Sequence, residues 1–243
     1  MRKTFLISIG ILSSIFCVTA AFSQENQDKT DNKTKIEGSG NVITRDVPVQ
    51  SFDQLEASGV FNVSLTQGSK ESVKIEAEDN LQQLFEVSNE GSKLVVRMKK
   101  DVHFNSKKKM TVYISFKNLK SMDLKMVGNL SSEGDLSFGD LSLENKSVGY
   151  VELALNAQKL DIRNKSVGNL KLSGKAENAV IRNNSVGSIK AAELVVQNMD
   201  IDNDGIGSAE VNAAKELIVK DSFLGKVKNV NATNPKRINK VVI

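Results

Sequence analysis

The chain holds one cysteine, one histidine, two tyrosines and no tryptophan in 243 residues. Each scarcity excludes something. The cysteine, Cys17, sits in an apolar stretch near the N-terminus, so the rest of the chain has no disulfide, no thiolate nucleophile and no thiolate metal ligand. His103 stands alone among lysines. A catalytic base needs a nucleophile and an orienting group within reach, and neither is recognisable beside it, so it reads as an exposed surface histidine. No HExxH, GxSxG or phosphate-cradling glycine loop is present, and no cofactor is implied. Carbohydrate sites commonly use aromatic platforms, and here only Tyr113 and Tyr150 are on offer outside the phenylalanines. The stretch "DIDNDGIG" at 200–207 has the look of a calcium loop, but Val211 stands where the twelfth-position glutamate belongs. It reads as a bend rich in Asn and Asp, with no metal.

The first residues carry Arg2 and Lys3, an apolar stretch from Phe5 to Phe22, and small residues in "AFS" before Gln24. This is the pattern of a secretory signal peptide over 1–23. A retained anchor needs about 20 predominantly apolar residues, and this run is shorter and interrupted. A lipoprotein signal wants a small residue before its cysteine, where Phe16 stands. Loss of Arg2 and Lys3 takes the formal charge from +4 to +2, which gives no reason to expect a nucleic-acid partner. Residues 24–35, "QENQDKTDNKTK", hold no apolar side chain and are expected to form a flexible leader.

A frame of about nineteen residues then dominates the chain. "NKSVG" at 145–149 returns at 164–168, and "NNSVG" follows at 183–187. Glycines 128, 149, 168, 187, 207 and 225 follow Val127, Val148, Val167, Val186, Ile206 and Leu224. Apolar residues recur six and eight positions before the glycines from Gly149 on, as in Leu160/Ile162 and Met199/Ile201, and two positions after all six. A period near twenty marks a solenoid, and the alternation inside each unit is that of strands with one buried face. The expected fold is all-β, a parallel β-helix or β-solenoid of about six coils over 121–243. The glycine is expected at a bend that opposes a side chain. The aliphatic residue before it is expected to turn inward and fill the corner. Asn145, Asn164, Asn183, Asn203 and Asp221 align as a column that hydrogen-bonds along the stack, beside a column of Ser147, Ser166 and Ser185.

Residues 36–120 leave that frame and read as short strands separated by turns such as "QGSKE" and "NSKKK". "DNLQQLF" at 79–85 fits one helical turn capped by Asp79 or Asn80. This half is expected to form a β-rich N-terminal cap on the stack, making 36–243 one continuous folded unit. At the other end Pro235 and the bases around it would blunt the last edge.

Two outward columns carry charge whose sign changes along the stack: Glu144, Arg163, Arg182, Asp202, Lys220, and Glu152, Lys171, Lys190, Glu210, Lys228. Pairs such as Glu144/Arg163 and Glu152/Lys171 would attract across rungs. Arg163, Arg182, Lys171 and Lys190, with Tyr150 nearby, form the candidate ligand surface, of a type that meets an acidic glycan.

"GSGNVITRDVPVQSFDQLEASGVFNVSLTQG" at 38–68, with Asp79, Asn80 and "LVVRM" after it, resembles the putative auto-transporter adhesin, head GIN domain family. The shared features are Gly38, Gly40 and Asn41, then Phe52, Asp53, Ser58 and the run to Val63. The resemblance implies a β-helix-like fold in the periplasm or at the cell surface, and carries over no catalytic residue. The reading is an exported, non-catalytic solenoid with a structural, adhesive or ligand-binding role, whose partner is a glycan or an envelope protein. A carbohydrate-active enzyme of lyase or hydrolase type on the same scaffold, or an envelope signalling accessory, are the alternatives.

Overall fold

The computed structural model describes residues 35–238; the expected signal peptide over 1–23 and the expected leader, Lys35 excepted, lie outside the described residues. The described residues form one compact unit, and an apolar core runs through it from Phe52 to Val227. Strand pairings and core thus lie together inside this unit.

The solenoid is there. Val151–Asn164, Leu170–Asn183, Ile189–Asn203 and Ala209–Asp221 lie parallel, each winding over the next. Leu130, Val151, Leu170, Ile189, Ala209 and Val227 stack as register partners and all are buried. The pairs Leu160/Ile162, Ala179/Ile181 and Met199/Ile201 are buried too, as a two-residue period with one covered face requires. The winding Ile189–Asn203 has one residue more than its predecessor. It absorbs the extra residue as a register shift opposite Lys171/Ser173, a bulge that leaves the stack intact.

The bend glycines from Gly128 to Gly207 behave as expected, and Gly225 alone of the six lacks the positive φ. Gly149, Gly168 and Gly187 have φ of 137°, 138° and 138°, a region that opposes a side chain. A Cβ on Gly168 would also overlap the carbonyl of Gly149 in the winding before it. The Asn column is present as well: Asn145 Nδ2 donates to Asn164 Oδ1 at 2.9 Å, Asn164 to Asn183 at 2.8 Å, and Asn183 to Asn203 at 2.6 Å. The serines bond inward to this column rather than to one another. Ser166 Oγ donates to Asn164 Oδ1 and Ser185 Oγ to Asn183 Oδ1.

One expectation is reversed. The aliphatic residues before the glycines face outward, with Val127 51%, Val148 49%, Val167 52%, Val186 51%, Ile206 55% and Leu224 59% exposed. The physical reason is parity. The inner corner is taken by Asn and Ser, which satisfy one another and the backbone at the tight bend, and the residue after an inward serine must point away.

The first half is also more than a cap. Gln54–Val60 pairs in parallel with Ser121–Val127, and Asn62–Gln67 with Leu130–Ser132, so this segment is a winding of the stack. Lys93–Met98 and Thr111–Phe116 lie in parallel beyond it. Only then does antiparallel pairing close the end: Ser72–Glu78 on Thr111–Phe116, Val42–Val47 on Ser72–Glu78, and Phe85–Glu90 on Lys93–Met98. A 3-10 turn, Asp79–Leu84, buries Leu81 and Leu84. Its cap position is Glu78, without a side-chain cap bond, rather than Asp79 or Asn80. Those two side chains instead clasp the loop at 39–41: Asp79 accepts from Ser39 Oγ and Asn41 Nδ2, and Asn80 Oδ1 from the Ser39 N–H. At the far end Lys236–Arg237 pairs with the last winding, and Arg237 bonds Asp221 at 2.7 Å.

Candidate binding surface

The outward aliphatic residues form a ladder of their own. Val60 is the register partner of Val127, and bridges join Val127 to Val148, Val148 to Val167, Val167 to Val186 and Val186 to Ile206. Gly207 N donates to Leu224 O, which sets Leu224 on the next rung. Seven aliphatic side chains therefore stand in line along one corner, about 4.8 Å apart. The backbone holds them rigidly, because each corner bonds both ways through the stack: Val167 N to Ser147 O at 3.0 Å, and Gly168 N to Val186 O at 2.8 Å. β-branched side chains on extended backbone add stiffness of their own. Phe223, next to Leu224 in the chain, is 88% exposed.

The expected ligand residues flank this ridge. Arg163 and Arg182 are register partners, as are Lys171 and Lys190. The structure does not merge the four cations into one site. Arg163 and Arg182 line a crevice of about 300 Å³ with Lys165, Asp202 and Asp204, before the ridge along each winding. Lys171 and Lys190 line another of about 260 Å³ with Glu193 and Glu210, after it. Tyr150 is half exposed, its N–H held by Asn129 Oδ1 at 3.1 Å. Lys171 meets Glu152 across rungs at 2.8 Å, and that hydrogen bond raises the pKa of Lys171. The Glu144/Arg163 attraction is not the close one: Glu144 bonds Lys146, two residues on and just past the end of its strand, at 2.5 Å, which lowers the carboxyl pKa.

At the cap end the ridge runs into a groove of about 460 Å³, whose wall includes Val60 and Val127. Its other apolar residues are Phe61, Val102, Phe104 and Met110; its charged or titratable residues are Lys108, Lys109 and exposed His103. Nothing in the sequence reading pointed there. The turn that bears the lysines is anchored from beneath by Glu78, whose carboxylate accepts from Ser106 Oγ at 2.6 Å, Lys107 N at 2.9 Å and Gly40 N at 2.6 Å. These bonds, Ser106 first, lower the pKa of this fully covered carboxyl against the opposing effect of burial.

Among the described residues no three His, Cys, Asp or Glu side chains are grouped to hold a metal, and no helix is long and apolar enough to cross a membrane. Comparison with known proteins gives a coherent answer. The family described as "putative auto-transporter adhesin, head GIN domain" matches residues 51–233. A crystal structure of a "putative adhesin" from Bacteroides fragilis is 28% identical, with a TM-score of 0.73, covering 84% of this chain and 100% of that one. A "putative adhesin" from Parabacteroides merdae shares the fold at 21% identity and a TM-score of 0.55, covering 84% and 96%. A "putative lipid binding protein" from Parabacteroides distasonis does so at 16% and 0.63, covering 84% and 95%. No curated protein matches. With three quarters of its length matched, from the first winding to the last, the chain belongs to the putative auto-transporter adhesin, head GIN domain family.

Proposed function

We propose that the protein is an exported, non-catalytic adhesive solenoid of the cell envelope that holds an acidic glycan along its ridge-bearing corner. The observation that carries this reading is the line of seven exposed aliphatic side chains with cationic rungs on both flanks. A contiguous apolar patch of this kind on a soluble surface is a mark of an interaction site. Sugar rings present C–H faces that pack on aliphatic side chains, and their carboxylate or sulfate groups pair with Arg163, Arg182, Lys171 and Lys190, with Tyr150 offering a stacking edge. A rigid repeat at rung spacing suits a repeating polymer. The signal pattern over 1–23 and the family description support the export.

The test is an acidic polysaccharide panel on the immobilised chain, read for both capture and cleavage. Retention without cleavage is expected, weakened at least about tenfold in Arg163→Ser/Lys171→Ser. Cleavage that the same double variant abolishes would replace this reading with an enzyme.

A further inference from the structure

The groove at the cap end lies apart from the cation rungs assigned above, and its chemistry differs from theirs. Its lining combines six apolar residues with Lys108, Lys109 and His103 and contains no carboxylate, whereas both crevices beside the ridge mix the two signs. We propose that this groove and the ridge rungs Val60 and Val127 form a docking site for an anionic lipid surface.

Three features lead there. An apolar floor lined by cations and by no carboxylate, with the neighbouring Glu37 tied to Asn105, fits a molecule that is apolar along its length and negative at its head. The cations extend beyond the groove: the two loops that supply its wall also carry exposed Lys99, Lys100 and Lys107, which outnumber the exposed carboxylates of Asp101 and of Glu37, the latter accepting from the groove residue Asn105 at 2.8 Å. One amphiphile in the groove would engage two lysines, while five lysines on neighbouring loops match the several headgroups of a bilayer surface. The site is also built in place, since buried Glu78 ties down the turn at 106–107 through two hydrogen bonds and joins it to Gly40 through a third. Shape favours lipid over protein. A single line of side chains on a convex corner covers little area, and a stable protein interface needs about 800 Å² from each partner. Headgroups and acyl chains deform around such a line, with the lysine stems reaching to the phosphates.

The experiment is vesicle cosedimentation with residues 24–243, which contain the whole compact unit. Vesicles are either phosphatidylcholine alone or equal parts phosphatidylcholine and phosphatidylglycerol. Binding to the mixed vesicles and not to the neutral ones is expected. Affinity should fall at least about tenfold in Lys108→Ser/Lys109→Ser and also fall in Val60→Ser/Val127→Ser, each with unchanged circular dichroism. Equal binding to both vesicle types, or undiminished binding by both double variants, overturns the proposal. So does failure to bind vesicles together with uptake of a dissolved anionic amphiphile, which would make the groove a site for a free ligand. Self-association dispersed by Val60→Ser/Val127→Ser without vesicle binding would assign the surface to a second copy and overturn it too. The glycan reading is tested at Arg163 and Lys171, so the two fail independently.

Discussion

At the scale of single residues, the Asn column shows how a polar side chain becomes structural. Asn164 Oδ1 accepts from Asn145 Nδ2 and Ser166 Oγ, while its own amide donates to Asn183. All of these groups are buried. Asn164→Ala removes the acceptor of two covered donors, so a loss of about 1–3 kcal/mol is expected, measured by urea unfolding; an unchanged midpoint would remove the column from the account. Glu78 makes the second residue-scale prediction. Its folded pKa is lowered, chiefly by Ser106, so its contribution to stability is present above the ordinary glutamate value of 4.5 and is lost as pH falls from there through the folded value. Unfolding midpoints measured across that acid range should fall for the native chain, and less steeply for Glu78→Gln.

At the scale of the element, each winding divides its side chains by parity, and the corner is where the rule bites. Asn, Ser and the apolar pairs turn inward, while the valine between Ser and Gly turns out. Val167→Ser should therefore cost less than about 1 kcal/mol, the span of strand propensity on an exposed face. Ile162→Ala, five residues earlier in the same winding and fully buried, should cost about 2–5 kcal/mol. Thermal melts of the two variants side by side test this division, and a large loss from Val167→Ser would mean that the corner is covered.

At the scale of the whole molecule, the problem is the ends. A stack of parallel windings offers unpaired backbone at each terminus, and such edges invite further strands. The N-terminal end is closed by antiparallel strands, the last being Val42–Val47, and by the turn that buries Leu81 and Leu84. Deleting residues 35–47 should uncover the Ser72–Glu78 edge and produce concentration-dependent association in light scattering. A variant that stayed monomeric would show that the edge is protected by other means. Here the chain path also departs from its order in sequence. The winding of Gln54–Gln67 lies between that of Lys93–Phe116 and that starting at Ser121, so the cap is built outward and the chain then returns beneath it.

Residue order alone settled the repeat, the glycine bends, the inward apolar pairs and the Asn column, because each depends on local period and on one register between consecutive windings. The outward facing of Val148, Val167 and Val186 was legible in principle, since an inward Ser at the preceding position implies it; the habit of burying aliphatic residues hid it. The windings at 54–67 and 93–116 were not legible. The column that reads Asn145, Asn164 and Asn183 continues into the cap as Leu124, Ala57 and Val96, so the repeat's signature is gone where the fold persists. Only tertiary structure brought Val60 and Val127 to Lys108 and Lys109, and Ser106 to Glu78. Those contacts join segments far apart in sequence through the pairing of distant strands, which no local period encodes.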